Sequence, residues 1–426
     1  MYKYGKLAIL LFSVICIGYV FKYHDRDQGD SSQLVSFLQE YIRIDTTHPK
    51  PDYQRAISFL KSRALHDGFQ VKELGLPSGR SALIITYLGS DPSLPSLVLN
   101  HHMDVVPASA EGWITPPFEA RIVDGSIIGR GTQDMKGIGA VHYFSLKQLK
   151  DQQIQPKRTI HIFAVPDEEI GGFTGTKELV ETDYFKQLNV GFVVDEGHAS
   201  GDQNMFDLKV AERKPIQVRV FGKGDQAHGS KLHCFNAVHE LVNFLSEITK
   251  LHSQQQQASE GNDPGKFLSL NISSLEAGIR KQDGHVALNM VPPYAQATID
   301  IRVPAHMKNS QVKKEFEQLL SKFASLEYKI EAEATQERLD QNYQTDLYAA
   351  LANAISKQGG ATRPHYFEAS SDLRFYHALG IDGVGFTPFT VQDNIHGINE
   401  SVPIVQLQKA QELFVQFLKD FCVNIY

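Results

Sequence analysis

The chain is expected to fold as an α/β protein, with a mostly parallel sheet flanked by helices and a smaller ferredoxin-like α+β domain inserted into it. Three observations lead there. Its 426 residues exceed the roughly 250–300 at which a single core stops growing, so two domains are expected. Strand-like and helix-like stretches alternate through the first half, the order that places a parallel sheet between helices. From about Glu212 the order becomes β-α-β-β-α-β, the ferredoxin-like arrangement.

Leu34, Phe37, Leu38, Tyr41 and Ile42 recur at helical spacing behind Ser31 and Ser32, which can cap a helix. A second helix is expected over Asp52–His66, ended by Gly68. Strands follow at Phe69–Leu74, Ala82–Leu88 and Leu97–Asn100, a helix at Ile138–Leu149, and strands at Thr159–Ala164 and Val190–Val194. In the insertion, strands at Pro215–Phe221, Leu268–Leu275, Ala295–Val303 and Tyr328–Ala334 are interleaved with helices at Cys234–Leu251 and Gln311–Phe323. Ser253–Lys266, with its Gln254–Gln257 run, reads as a mobile loop. Helix Thr345–Gly359 and strand Gly383–Phe386 return the chain to the first domain. The expected division is 1–29 for an N-terminal apolar segment, 30–211 and 336–426 for the main domain, and 212–335 for the insertion.

Composition is that of an ordinary soluble domain, and a net charge of −7 argues against nucleic acid as the main partner. Cys16, Cys234 and Cys422 form no C-x-x-C, so there is neither a disulfide framework nor a thiolate zinc site. Any metal must be held by His, Asp and Glu. Near the N-terminus, Lys3 and Lys6 precede the apolar run Leu7–Phe21, and Lys22, His24 and Arg26 follow it. The run is short of the roughly 20 residues of a spanning helix and reads as a signal-anchor or a signal peptide. The expected location is therefore the secretory pathway, membrane-anchored or secreted. A cytosolic protein with an apolar tail is the alternative. A sequon at Asn271-Ile272-Ser273 is compatible with the secretory route.

The chemistry concentrates at strand ends, where open α/β sheets place their sites. V-P-D-E-E-I-G-G (Val165–Gly172) sets three acids in a row, and no Lys or Arg stands between Arg158 and Lys177. A metal ion could supply the missing positive charge; a solvated acidic turn is the plain alternative. Successive side chains at a strand end point to opposite sides, so Glu168 and Glu169 can take different tasks, one handling a proton and one holding a metal. In H-x-D, alternation places His102 and Asp104 on one face, where the carboxylate could accept from the imidazole and fix its tautomer. Asp134 precedes a helix, a favourable place for a carboxylate. With Glu169, Glu196 and His396 it completes a set of oxygen and nitrogen donors.

H-M-D-V-V-P (His102–Pro107), G-R-G-T-Q-D-M-K-G (Gly129–Gly137), V-P-D-E-E-I-G-G and D-E-G (Asp195–Gly197), in this order and spacing, resemble the M20 family of dinuclear zinc amidohydrolases and peptidases. Ile42–Tyr53, Trp113–Ala120 and Arg158–His161 are similar to its aminoacylase members in particular. The resemblance implies a catalytic domain of zinc-peptidase type with an inserted lid and dimerisation domain. It also implies a homodimer and two zinc ions per subunit. Asp134 would bridge the ions, His102 and Glu196 completing one and Glu169 and His396 the other. Glu168 would be the general base and Asp104 would orient His102. His228, in Q-A-H-G-S where the family has P-G-H-A-S, would reach the partner's site. Arg374, in S-S-D-L-R, would bind a substrate carboxylate, with Asn289 and Arg302 as lid contacts, Arg302 being equally readable as a structural strand-end residue. The peptide bond after Asp134 would be cis. The activity implied is hydrolysis of N-acyl-L-amino acids, N-acetylated neutral or aliphatic ones first. A dipeptidase or carboxypeptidase is the second reading, and a non-catalytic interaction protein the third, which the intact ligand set argues against.

Overall fold

Two fully buried strands, Ser96–His102 and Ile160–Val165, lie at the centre of the first unit. The second reads as a near-continuous apolar run, as a strand covered on both faces requires, while the first is apolar over Leu97–Leu99 and turns polar at Asn100, His101 and His102. The computed structural model describes residues 32–202, 204–334, 343–390 and 394–424. It divides into two units, Met1–Phe206 with Ala350–Ala361 and Thr387–Tyr426, and Asp207–Ala349 with Thr362–Phe386. The second unit thus contains the expected insertion and takes in flanking segments on both sides of it.

In the first unit the strands run in the order Gln70–Gly75, Ser81–Tyr87, Ile160–Val165, Ser96–His102, Val190–Asp195. The α/β class is as expected, and the sheet is mixed. Parallel pairing joins the last three strands, while the first two pairings are antiparallel. The cause is local: a tight turn closed by Leu76 N–H on the Arg80 carbonyl links the outer two strands, and so short a connection cannot cross over to a parallel partner. Helices at 32–42, Tyr53–His66 and Lys136–Asp151 cover this sheet with Ile404–Leu418. Asp52 caps the second of these by accepting from Arg55 N–H. The last, an amphipathic helix not anticipated from the sequence, buries Leu407, Phe414 and Phe417. A small three-stranded sheet, Ser401–Pro403, Ser126–Ile128 and Arg121–Val123, was also not anticipated, its strands being only three residues long.

The second unit contains a four-stranded antiparallel sheet in the order Ser269–Ala277, Tyr294–Val303, Lys214–Lys223, Leu326–Glu333. That is the ferredoxin-like order, and burial alternates along its two central strands. Helices Ala237–Ser259 and Asn309–Leu320 close its core over Val218, Val220, Ile299, Phe244 and Phe316. One expectation fails here. Gln254–Gln257 belongs to the helix that runs to Ser259, not to a loop. Glutamine propagates a helix nearly as well as leucine or lysine, and Asn236 caps this one by accepting from Val238 and His239. No helix among the described residues is long and apolar enough to cross a membrane. The apolar run Leu7–Phe21, read as a signal-anchor or signal peptide, lies outside the described residues.

Three histidines in the first unit, His101, His142 and His161, are almost fully buried. Burial pushes His101 down to about 3 and His161 down to about 4, and holds His142 well below the usual imidazole range. Each stays neutral when folded but takes a proton below about 6.5 when unfolded. The stability they allow is therefore complete above that pH and lost as pH falls through it. His142 packs edge-to-face on Phe414 at 4.8 Å, so His142→Phe should fit. Comparing urea melts at pH 8 and pH 5, the variant should lose less stability than the parent, by about 2 kcal/mol. An equal loss in both would show that His142 is protonated in the folded state.

Candidate metal centre and active site

The central strand ends at His102 and puts that ring against the helix start at Asp134. His102 Nε2 lies 2.9 Å from Asp134 Oδ1 and 3.6 Å from Glu196 Oε2. On the other side of the same carboxylate, His396 Nε2 lies 2.9 Å from Asp134 Oδ2 and 3.4 Å from Glu169 Oε2. The result is two triads, His102–Asp134–Glu196 and Asp134–Glu169–His396, each with ligand atoms within 4.8 Å of one another. All five residues expected as ligands are therefore brought together, with Asp134 shared. The Asp134–Met135 peptide bond is cis.

The donors fit metal ions on chemical grounds. Imidazole nitrogen with carboxylate oxygen is a set that suits zinc and its neighbours. Glu169 Oε1 is buried without a hydrogen-bond partner, a costly state that a cation would relieve. Protons stand in for that charge in the protein alone. Hydrogen bonding to Asp134 and then Glu169 raises His396 to about 10. Burial would lower His102, but hydrogen bonds to Asp134 and Glu196 outweigh it and hold the ring well above its usual range. Burial would raise Asp134, yet hydrogen bonds from both histidines keep it well below the ordinary carboxylate range. Burial, then the charge of Asp134, raises Glu169.

Two residues without an expected role, Glu400 and Arg130, hold the backbone that leads into Asp134. Glu400 is fully buried and its oxygens accept from the N–H groups of Gly131, Gln133 and Asp134 at 3.0, 2.8 and 3.2 Å. Arg130 donates to Glu400 at 2.7 Å and to the carbonyls of His396 and Gly397 at 3.1 and 2.9 Å. The pair thus ties the loop before the helix to the loop that carries His396, whose backbone sits in the left-handed region at φ 61°. Arg130 stands in the G-R-G stretch, and Glu400 four residues after His396. Nothing local marks them as partners.

The acid turn is built differently from the expectation. Asp104 does not hold His102 with its carboxylate. Its backbone carbonyl lies 2.9 Å from His102 Nδ1, the carboxylate 3.7 Å away. The strand ends at His102, so strand alternation does not carry on to Asp104. Its carboxylate instead accepts from the N–H groups of Glu168 and Glu169 at 3.2 and 3.0 Å. Asp167 is compensated by Arg80, at 2.8 Å, with hydrogen bonds from Tyr53 and Thr174, both at 2.7 Å. A cation far along the chain thus supplies part of the counter-charge that the sequence around the turn lacks. Gly171 and Gly172, at φ 103° and 64°, let the chain turn back so that Gly172 N–H reaches the Asp167 carbonyl at 2.7 Å.

The remaining expected residues belong to the second unit. His228 is exposed on a two-residue strand paired with Met290–Val291, and Gly229 N–H donates to the Asn289 carbonyl at 2.6 Å. His228 and the exposed Asn289 are thereby neighbours. Ser230 N–H donates to His228 Nδ1 at 3.2 Å, which leaves the proton of the neutral ring on Nε2. Arg374 is the second residue of the helix Leu373–Ala378 and donates to the Ser371 carbonyl at 2.9 Å. Arg302 is engaged by Asp300 through two bonds of 2.6 and 3.2 Å.

Because both ring nitrogens at the centre carry protons in the protein alone, metal loading must release them. Titrating chelator-stripped protein with zinc at pH 7.5 in buffers of different ionisation enthalpy should show release of about two protons per chain. Release of none would mean that the histidines are already neutral.

Residues 98–420 match the peptidase family M20/M25/M40. The chain is 32% identical over 369 residues to aminoacylase-1 of Mus musculus, covering 85% of this chain and 88% of the mouse protein. Its fold is similar to that of an M20 family metallo-carboxypeptidase, Sso-CP2 from Sulfolobus solfataricus, with a TM-score of 0.72 at 17% identity over 91% of this chain and 98% of that one. It is likewise similar to the YXEP protein of Bacillus subtilis, described as a dinuclear metal binding peptidase, with a TM-score of 0.66 at 13% identity over 93% and 100% of the two chains. With its motifs, its fold and its paired triads, the chain belongs to peptidase family M20/M25/M40 and is a hydrolase of amide bonds.

Proposed function

We propose that this enzyme hydrolyses N-acyl-L-amino acids, N-acetylated neutral or aliphatic ones first, to a carboxylate and a free amino acid. The observation that carries the reading is the pair of triads sharing Asp134, with Glu168 beside them on a turn held by Asp104. His102, Asp134 and Glu196 would hold one zinc ion and Asp134, Glu169 and His396 the other. Ions bound there polarise an amide carbonyl and lower the pKa of water at the centre.

The chain's own part is positioning and proton transfer. Glu168 takes a proton from the attacking water and returns it to the leaving amine, so the base of the first step is the acid of the second. His228, with its proton on Nε2, can donate to the oxygen on which negative charge develops. By resemblance it would do so in a partner subunit, which makes a homodimer the working unit. Arg374 offers a fork for the free carboxylate of the amino acid, and Asn289, beside His228, is a second substrate contact. Arg302, engaged by Asp300, is read as structural. The 212–335 region would act as lid and dimerisation domain. For location, the apolar run Leu7–Phe21 suggests a secreted or membrane-attached enzyme, and the likeness to aminoacylase-1 favours the alternative, a cytoplasmic one. A dipeptidase or carboxypeptidase activity is the second reading, in keeping with the likeness to the Sulfolobus carboxypeptidase.

Glu168→Gln should retain metal and lose turnover by about a thousandfold; activity near that of the parent would remove Glu168 from the mechanism. A panel of N-acetyl-methionine, longer N-acyl amino acids and dipeptides separates the two substrate readings. N-acetyl amino acids should give the highest kcat/KM, and a preference for dipeptides would transfer the assignment to the second. Mixing His228→Ala with Glu168→Gln protein should restore about a quarter of parental activity through mixed dimers that hold one intact site; no recovery, with mixed dimers shown to be present, would refute sharing across subunits.

A further inference from the structure

We propose that His48 is a positioning residue for the acid turn, joining the two buried carboxylates, Asp104 and Asp167, that hold the Glu168–Glu169 backbone. The inference rests on the reading of Glu168 as general base. Asp104 holds the turn from outside, through the N–H groups of Glu168 and Glu169. Asp167 holds it from within, anchored by Tyr53, Arg80 and Thr174. His48 Nε2 lies between the two, 3.2 Å from Asp104 Oδ2 and 3.5 Å from Asp167 Oδ1. Arg80 compensates one of these charges, and His48 faces both.

The segment that carries His48 is itself stitched to the end of the central strand. Thr46 Oγ1 donates to the Met103 carbonyl at 2.7 Å, Val105 N–H donates to the Thr46 carbonyl at 3.3 Å, and Thr47 bridges Val105. Asp45 accepts from Thr47 N–H at 2.9 Å and from Asp52 N–H, through its carbonyl, at 3.0 Å. An imidazole on so fixed a backbone can set the position of Asp104, and through it the two amides that aim Glu168. The hydrogen bond to Asp104 is the chief influence raising the His48 pKa, aided by the charges of Asp104 and Asp167 and opposed by burial and by Arg80. Tyr53, the remaining polar group on this side, donates its hydroxyl to Asp167. A protonated His48 therefore places one positive charge between two negative ones. It touches neither the proposed ligands nor the site of bond breaking.

The test compares the dimetal enzyme with His48→Gln, which keeps a donor, and with His48→Met, which fills the space without one. His48→Met should lower kcat about tenfold to a hundredfold, the cost of aiming a reacting group badly. KM should stay within about twofold, and metal content and Tm should remain those of the parent. His48→Gln should recover most of the loss, and its kcat should no longer fall on the alkaline side where His48 would lose its proton. Equal kcat in parent and His48→Met, or a loss that follows metal content or Tm, would overturn the proposal. So would a His48→Gln variant as slow as His48→Met. Glu168→Gln keeps the two claims separable: turnover in that variant ends the general-base reading, while the His48 comparison still reports whether Asp104 and the turn are being positioned.

Discussion

The centre depends on one buried ion pair, Arg130 with Glu400. Its partners are far apart in sequence, and between them they contact both the residues that lead into Asp134 and the backbone of His396. A buried pair of this kind contributes little net stability, since desolvation cancels most of the attraction. Its use here is geometric. It keeps one carboxylate between two histidines, so that Oδ1 serves one triad and Oδ2 the other. Loss of either partner would leave a buried charge and separate the two loops together.

A second layer of carboxylates does for the acid turn what Glu400 does for the bridge. Asp104 and Asp167 belong to neither triad, Asp104 touching His102 only from behind, at Nδ1, yet they fix the backbone from which Glu168 and Glu169 project. Five acids thus divide into two kinds of work. Asp134, Glu169 and Glu196 face the centre, and Asp104 and Asp167 face the chain. The division explains how one short turn can carry adjacent acids without collapse. Two of its three acids have a partner of their own, His396 for Glu169 and Arg80 for Asp167.

Much of this was legible in the sequence because motif residues announce chemistry. His102, Asp134, Glu169, Glu196 and His396 could be named from strand ends and motif spacing, and they converge. The ferredoxin-like order of the second unit was equally readable, since its strands alternate and its helices carry apolar stripes. What could not be read were partnerships across long sequence distances. Arg80 belongs to Asp167, and Arg130 to Glu400, only because the fold brings them together. The carboxylate of Asp104 would face His102 only if the strand continued to Asp104, and the chain leaves the strand two residues before that. The helix through Gln254–Gln257 is hard to read because a polar run carries no apolar stripe, although its backbone propensity favours a helix.

The central strand and the Asp134 loop are made early in the chain, and His396 and Glu400 very late, after the whole second unit has been traversed. During synthesis, domains fold as units beginning from the N-terminal side, and contacts of such long sequence separation form slowly. The nascent first unit therefore carries His102, Asp134, Glu169 and Glu196 with half of its nitrogen donors still unmade. An emerging chain could pair its strands and bury its central core while remaining chemically silent. On the proposed ligand set, competence arrives only with the segment that carries His396 and Glu400, so the hydrolase stays idle until the second unit has been made.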